Sequence, residues 1–306
     1  MEKIKLLFVN HGHERCGIQQ FGVSVRNALL KHPVIELTYI ESNDSRELAE
    51  FDFSSISHVL FNHHSVTLYW LHQGIVNFLA DAGKRVFCIS GHDQLANFSR
   101  CKNIIPDPTG IDTDRDKFTG RILPNYPVFT NPIEMPTIGS FGFGFPEKNF
   151  DRLADYVNSE FNEAKIRLHI TGSHYGDPSG ALAGVVVSQI QSKLKPSILI
   201  ELSTGFLSQK DLVYWLSQNS VNAFLYNDQP GRGISSAVDF ALASRRPIAV
   251  SDSYMFRHIR GDERNLIEKT PLKQIISNGV SHLEVFYQNW SEQAIADRYY
   301  EILTND

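Results

Sequence analysis

The feature that most constrains this chain is an alternation of short apolar runs with amphipathic helical patterns, broken once by a proline cluster. Residues 124–136 read PNYPVFTNPIEMP, four prolines in thirteen residues. Proline neither donates to a sheet nor continues a helix, so the cluster predicts a linker or crossover. Before it, Leu6–Val9 reads as a buried strand. Ile18–Leu30 follows as a helix, with Phe21, Val25 and Leu29 one turn apart on one face. Strand patterns recur at Ile35–Ile40, His58–Phe61 and Arg85–Ile89, the last preceded by a helical segment over Leu68–Ala82.

After the linker the rhythm restarts. Strands are expected at Thr137–Phe141, Ile166–Ile170, Ile198–Leu202 and Ala223–Tyr226. Helices are expected at Asn149–Glu160, Val185–Leu194 and Ser208–Gln218, with Ser208 as N-cap and Asp211 three residues on in a variant of the capping box. A last amphipathic helix covers Ser291–Leu303. Strands alternating with helices argue for parallel sheets covered on both faces. The fold class is therefore α/β, as two Rossmann-like, doubly wound parallel-sheet domains over 1–130 and 137–306, the final helix free to cross back to the first.

Composition excludes several function classes. The 306 residues carry a net charge of −5, which argues against a bulk nucleic-acid binder while leaving room for local basic patches. Cys16, Cys88 and Cys101 are irregularly spaced and form no CxxC or Cys/His ligand pattern. Reduced thiols and a cytoplasmic location are the expectation. The apolar run at the amino terminus stops at Asn10, too short for a signal peptide, and no stretch has the length of a membrane span. A peripheral membrane surface or a protein partner stays open.

Two stretches of the second half carry chemistry. IGSFGFGFPEKNFDRL puts Gly139, Gly142, Gly144 and Lys148 between a strand and a helix, where a lysine can neutralise a diphosphate. GRGISSAVDFALASRRPIAVS, from Gly231 to Ser251, reads as a glycine turn, a short helix and a buried strand. Gly233 and Ile234 would bring main-chain N–H groups to a phosphate, with Ser235 and Ser236 capping the helix and donating to its oxygens. Asp239, one turn inward, suits a ribose diol. The plainer alternative is that Ser235 is only an N-cap and Asp239 only a favourable charge near a helix start.

In the first half, histidines follow apparent strands in three places: His11 and His13, His63 and His64, and His92 beside Asp93. Histidine serves as a contact for a sugar hydroxyl or as a proton shuttle near neutral pH. His11 and His13 read as exposed loop polarity. Asp112-Thr113-Asp114 mimics a metal-binding acid pair, but its Pro/Gly/Asp-rich surroundings mark a solvated loop.

The order of these pieces resembles the GT-B glycosyltransferases, above all the large retaining family that uses nucleotide sugars. That family carries an Arg-x4-Lys pair after a glycine-rich strand. Its donor loop has the form E-G-F-G-x-x-x-x-E-A-M-A-x-G-x-P-V. Lys148 matches the lysine, Asp239 resembles the second acid, Ala241-Leu242-Ala243 resembles A-M-A, and Pro247 matches the proline. Counting back from Pro247 puts the acid at Phe240, one residue past Asp239. Two positions depart: Phe143 stands where the family has its arginine, and Gly231 where it has its first acid. Asp228 and Arg232 are neighbouring groups that could substitute. Cys16-Gly17 is similar to the family's glycine pair before the first helix, and Ser90-Gly91-His92-Asp93 to its T-x-H-D.

The resemblance implies a metal-independent hexosyltransferase acting in polysaccharide biosynthesis, with no cofactor beyond a nucleoside diphosphate sugar as donor. The acceptor would be a hydroxyl of a glycan or lipid-linked molecule. Gly17, Lys148, Gly172, Gly233, Ile234, Ser235, Ser236 and Asp239 would hold the donor, while His92, His63 and Asp93 would act on the transferred sugar. Two alternatives are kept: a non-catalytic nucleotide-sugar-binding or scaffold subunit of a glycan assembly complex, and a sugar-nucleotide epimerase of the same fold.

Overall fold

The computed structural model describes residues 3–91 and 94–305. The chain divides into two compact units. Unit 1 holds Met1–Ile122, Gly231–Gly233 and Asn289–Asp306; unit 2 holds Leu123–Pro230 and Ile234–Gln288.

Unit 1 is built on β1 (Ile4–Asn10), β2 (Ile35–Glu41), β3 (His58–Asn62), β4 (Arg85–Ile89), β5 (Cys101–Ile105) and β6 (Asp116–Phe118). All pairings are parallel, in the order β2-β1-β3-β4-β5-β6. Alternation along β1 feeds two cores. Leu6 and Phe8 pack with Val25 and Leu29 of α1 (Gly17–Leu29). Leu7 and Val9 point the other way, toward Leu48 of α2 (Ser45–Ala49) and Val76 and Leu79 of α3 (Gln73–Asp81). A strand buried on both faces needs this near-continuous apolar run.

Unit 2 is built on β7 (Thr137–Phe143), β8 (Ala164–Thr171), β9 (Ile198–Ser203), β10 (Val221–Phe224) and β11 (Ile248–Val250), in the order β11-β10-β7-β8-β9, again all parallel. One face is covered by α4 (Arg152–Glu160), α5 (Leu182–Gln191) and α8 (Leu272–Asn278), through Leu153, Val157, Ile190 and Ile275. The other is covered by α6 (Gln209–Ser217) and α7 (Ala237–Ala243), through Val213, Leu216 and Phe240. The short α9 (Glu284–Asn289) and the 13-residue α10 (Glu292–Thr304) close the described chain, the latter laying Ile295, Tyr299, Ile302 and Leu303 into the β1 core of unit 1. No helix among the described residues is long and apolar enough to cross a membrane.

Several element boundaries differ from expectation: α5 runs Leu182–Gln191 rather than Val185–Leu194, and β10 Val221–Phe224 rather than Ala223–Tyr226. The helix expected over Leu68–Ala82 begins only at Gln73, because His72 is extended and its Nδ1 accepts from the Gly74 N–H at 3.1 Å. The helix expected from Asn149 begins at Arg152, since Asn149 sits in the left-handed region at φ 52° and ends a short 3-10 turn over Pro146–Lys148. Ser236 precedes α7 with no side-chain capping bond; the Ser235 hydroxyl accepts instead, from the Ala237 N–H at 3.4 Å.

Candidate functional site

In each sheet the strand order reverses once: between β1 and β3 in unit 1, and between β7 and β10 in unit 2. The connecting helices leave to opposite faces there, and a crevice opens beyond the carboxyl ends of the two strands. Lys148 follows β7 and the segment leading to α7 follows β10, while Gly17 follows β1 and His63 follows β3; Gly172 instead follows β8.

In unit 2, the chain leaves β7 through Gly144, Phe145 and the 3-10 turn that carries Lys148. Gly144 lies so close to α5 that a Cβ there would meet Leu182 Cβ at 2.7 Å and its carbonyl carbon at 3.1 Å. The turn is tied to the end of β10, where Asn227 N–H donates to the Glu147 carbonyl at 2.9 Å. Lys148 Nζ then stands 3.7 Å from the centroid of the buried Tyr226 ring. This ammonium is half-buried and has no carboxylate within ion-pair distance among the described residues. The ring face holds it by cation–π attraction without cancelling its charge.

From Tyr226 the chain runs to α7, braced by the segment after β11. Ser251 Oγ donates to the Tyr226 carbonyl at 2.7 Å, Ser253 Oγ to the Asn227 carbonyl at 3.0 Å, and Ser235 N–H to the Met255 carbonyl at 3.1 Å. Asp228, one of the groups read as a replacement acid, accepts from the Tyr254 N–H at 2.6 Å and so serves the brace. Ser235 and Asp239 are buried, and Ser236 is half-buried. Gly231 has φ 82°, the left-handed region that a side chain disfavours, so an acid could occupy this position only under strain. Gly172 packs under its own loop, where a Cβ would meet the Asp177 carbonyl oxygen at 2.8 Å. The Asp177 carboxylate in turn accepts from Ala181 N–H at 3.0 Å and Leu182 N–H at 3.3 Å, filling the start of α5.

In unit 1 the reversal point is closed by two asparagines. Asn62 Nδ2 donates to Asn10 Oδ1 at 2.9 Å and to the Ile18 carbonyl at 2.7 Å; Asn10 Nδ2 donates to the Gln19 carbonyl at 3.1 Å. The pair pins the first turn of α1 against β1 and β3. Gly17 opens that helix and is exposed; Cys16 before it is buried, its thiol pushed up by burial. His11 is buried rather than exposed, because it follows Asn10 directly off β1; its Nδ1 accepts from the His13 N–H at 3.3 Å. His63 follows Asn62 off β3, half-buried, with its ring edge-on to Phe98 at 5.5 Å. Burial, then the neighbouring His64, hold its pKa below the ordinary histidine value, so the ring is neutral at neutral pH. His92 and Asp93 lie outside the described residues.

Asp112 is structural: Oδ1 accepts from the Phe118 N–H at 2.8 Å, and Oδ2 from Arg298 at 2.5 Å. No group of three or more histidines, cysteines or acids placed to hold a metal ion occurs among the described residues. Sequence reasoning missed Tyr226 as the seat of Lys148 and Asn10 as the partner of Asn62. An aromatic at a strand end before Asn-Asp-Gln-Pro, and an asparagine closing an otherwise apolar strand, were the available signals.

No family model matches the sequence, and no curated protein does. Solved structures do. Anabaena HepE, in complex with UDP-glucose, is 12% identical over 98% of this chain and 99% of its own, with a TM-score of 0.65. The lipopolysaccharide outer core galactosyltransferase WaaB is 13% identical over 97% and 98%, with a TM-score of 0.58. An alpha-glucosyltransferase in complex with UDP and a 13-mer DNA containing an HMU base is 10% identical over the full length of both chains, with a TM-score of 0.57. The chain has the GT-B fold, two Rossmann-like units of parallel strands.

Proposed function

We propose that this GT-B chain is a glycosyltransferase that moves a sugar from a nucleoside diphosphate sugar to a hydroxyl of a glycan or lipid-linked acceptor. The observation that carries the reading is Lys148: a half-buried ammonium without a carboxylate partner among the described residues, seated on Tyr226 at the β7/β10 reversal point of unit 2. A diphosphate is the complement of such a charge. UDP or UDP-glucose in the similar structures supports a uridine diphosphate donor.

In this reading Lys148 and the N–H groups from Gly233 to Ser236 meet the diphosphate. They are fixed before reaction, so they stabilise the charge that grows on the leaving group as the glycosidic bond breaks. No protein-held metal is needed for that task. Asp239 orients the ribose. Gly17 and Gly172 border the donor, and His63, His92 and Asp93 belong to the side of the transferred sugar. A neutral His63 accepts or donates a hydrogen bond to a hydroxyl, and can take its proton. The work belongs to polysaccharide assembly in the cytoplasm.

One observation favours a second reading, a nucleotide-sugar-binding subunit without transfer. Gly231 stands at the position of the family's sugar-facing acid with a backbone unsuited to one, and Phe143 replaces the arginine. Calorimetric titration with UDP, GDP, ADP, CMP and their common sugars tests the donor site, with Lys148→Ala and Asp239→Ala alongside. One diphosphate binding the parent chain and neither variant supports the site. No nucleotide binding at all overturns it. Donor turnover with product analysis then separates transferase, epimerase and binding subunit.

A further inference from the structure

β9 (Ile198–Ser203) is an outer strand of the unit 2 sheet, paired with β8 alone among the described residues. An outer strand offers a row of unpaired N–H and C=O groups, so folded proteins blunt such edges with charge, proline, brevity or a cover. The other three outer strands among the described residues, β2, β6 and β11, are blunted. A bridge from Val250 to Leu266 covers β11. β6 spans only three residues, Asp116, Lys117 and Phe118. β2 carries Glu36 and Glu41. By contrast β9 reads ILIELS over six residues, without lysine or proline. Its single acid, Glu201, is held from within the sheet by Arg167 Nε at 3.0 Å and Lys165 Nζ at 3.4 Å. Leu199 is 50% exposed and Leu202 39%, on opposite faces of the strand.

Together with the residue before it, the strand is close to a palindrome in chemical type: Ser197-Ile198-Leu199-Ile200-Glu201-Leu202-Ser203. A two-fold axis perpendicular to the sheet and level with Ile200 pairs such a strand antiparallel with a second copy of itself. Ile200 then faces Ile200 of the second copy, Ile198 faces Leu202, Ser197 faces Ser203 and Leu199 faces Glu201. Residues directly opposite share a face of the sheet. Ile198, Ile200 and Leu202 of both copies therefore lengthen the core on the α5 side, where Ile166 of β8 lies beside Ile200 and Leu168 beside Leu202. Neighbouring registers fail. An axis at Glu201 sets two carboxylates opposite each other. An axis at Leu199 brings Pro196, which has no N–H, into the ladder opposite Leu202. Wider shifts run the pairing off the strand.

We propose that a second copy of this chain docks on this edge, β9 against β9, to form one continuous sheet with five strands from each copy. Main-chain hydrogen bonds supply the affinity, and the alternating side chains supply the register. The contact is isologous, so it closes at two chains and leaves no edge for a third at this strand. Because each copy's strands are parallel, antiparallel pairing at β9 sends the carboxyl ends of the two copies in opposite directions. The two β7/β10 crevices thus open at opposite ends of the joint sheet.

The test is sedimentation equilibrium of the full chain, without nucleotide, across about 1–100 μM, where an interface of modest size associates. The mass of two chains is expected to appear as concentration rises. Leu202→Lys puts a charge opposite Ile198 at both ends of the ladder and should weaken association at least about tenfold. Its circular dichroism should match the parent's, since Leu202 is exposed. Tyr69→Lys, on the exposed stretch before α3, should associate as the parent does. Oxidation with diamide reads the register. Ile200→Cys should form a disulfide between chains, because the two-fold sets this position on itself. Leu202→Cys should not, since its counterpart lies about 13 Å away along the strand. The natural Cys16, Cys88 and Cys101 are buried. A dimer weakened in Leu202→Lys and cross-linked in Ile200→Cys supports the proposal. A dimer that survives Leu202→Lys, that Tyr69→Lys weakens equally, or that cross-links through Leu202→Cys instead overturns it. A parent chain monomeric at every concentration also overturns it, and leaves the edge to a strand of another protein.

Discussion

Gly22 shows how much one residue can decide. It lies in α1 over the reversal point of unit 1, where a Cβ would sit 2.5 Å from Asn10 Nδ2 and 2.6 Å from Asn62 Nδ2. Both amides are committed to each other and to the carbonyls of Ile18 and Gln19, so neither can retreat without orphaning a buried polar group. Gly22→Ala is expected to destabilise unit 1 by about 1–3 kcal/mol, the usual cost of overpacking, read as a lowered urea midpoint. His169 gives a second prediction, of pH dependence. Burial holds its pKa down to about 4 from 6.5, and its Nδ1 lies 3.0 Å from Ser203 Oγ. The unfolded chain therefore binds a proton that the folded chain refuses between those values. Stability from this group is present above about pH 6.5 and is lost as pH falls toward 4, by up to about 3 kcal/mol. Urea unfolding at pH 7.5 and pH 5 should show a smaller pH effect in His169→Gln than in the parent; equal effects would remove His169 as the cause.

At the scale of elements, what was legible in the sequence is what depends on local pattern. Arg85–Ile89 matches β4 at both ends, because a short run that is buried from Val86 to Ile89 is bounded by a lysine turn and by Ser90. Ser208 caps α6 as read, accepting from Asp211 N–H at 3.2 Å, since the capping bond spans only three residues. β5 and β6 escaped notice: Cys101–Ile105 alternates too little, and Asp116–Phe118 is too short and polar, so both exist through pairing with neighbours. The seat of Lys148 was illegible for the same reason, since Tyr226 reaches it across 78 residues of chain. Gly144 was read only as one of three glycines in the turn before Lys148; the close approach of α5 is what requires a glycine there. Gly144→Ala should push α5 from the end of β7, lower stability by about 1–3 kcal/mol, and weaken nucleotide binding through the displaced 3-10 turn. Calorimetry of UDP with this variant checks it: undiminished affinity would mean that α5 and the Lys148 turn move independently.

For the whole molecule, the consequential fact is that chain order and unit membership do not coincide. The last segment, Asn289–Asp306, belongs to unit 1 although unit 2 intervenes. α10 delivers Ile295, Tyr299, Ile302 and Leu303 to the same core as Leu6, Phe8 and Val25, all buried. Its end is held as well, with Arg85 on the carbonyls of Thr304 and Asn305, and His58 Nε2 3.1 Å from the Leu303 carbonyl oxygen. Burying a large apolar side chain stabilises by roughly 1.5–3 kcal/mol. Four of them rival the roughly 5–15 kcal/mol that holds a typical domain folded. A chain ending at Gln288 should therefore lose unit 1 while keeping unit 2, whose cores draw nothing from beyond that residue. Differential scanning calorimetry of the truncated chain should retain a single transition, and limited proteolysis should cut within residues 3–122 and spare 137–288. Survival of both units after truncation would mean that the β1 core closes without α10. If they unfold as one, cooperativity between the units outweighs the independence of their cores.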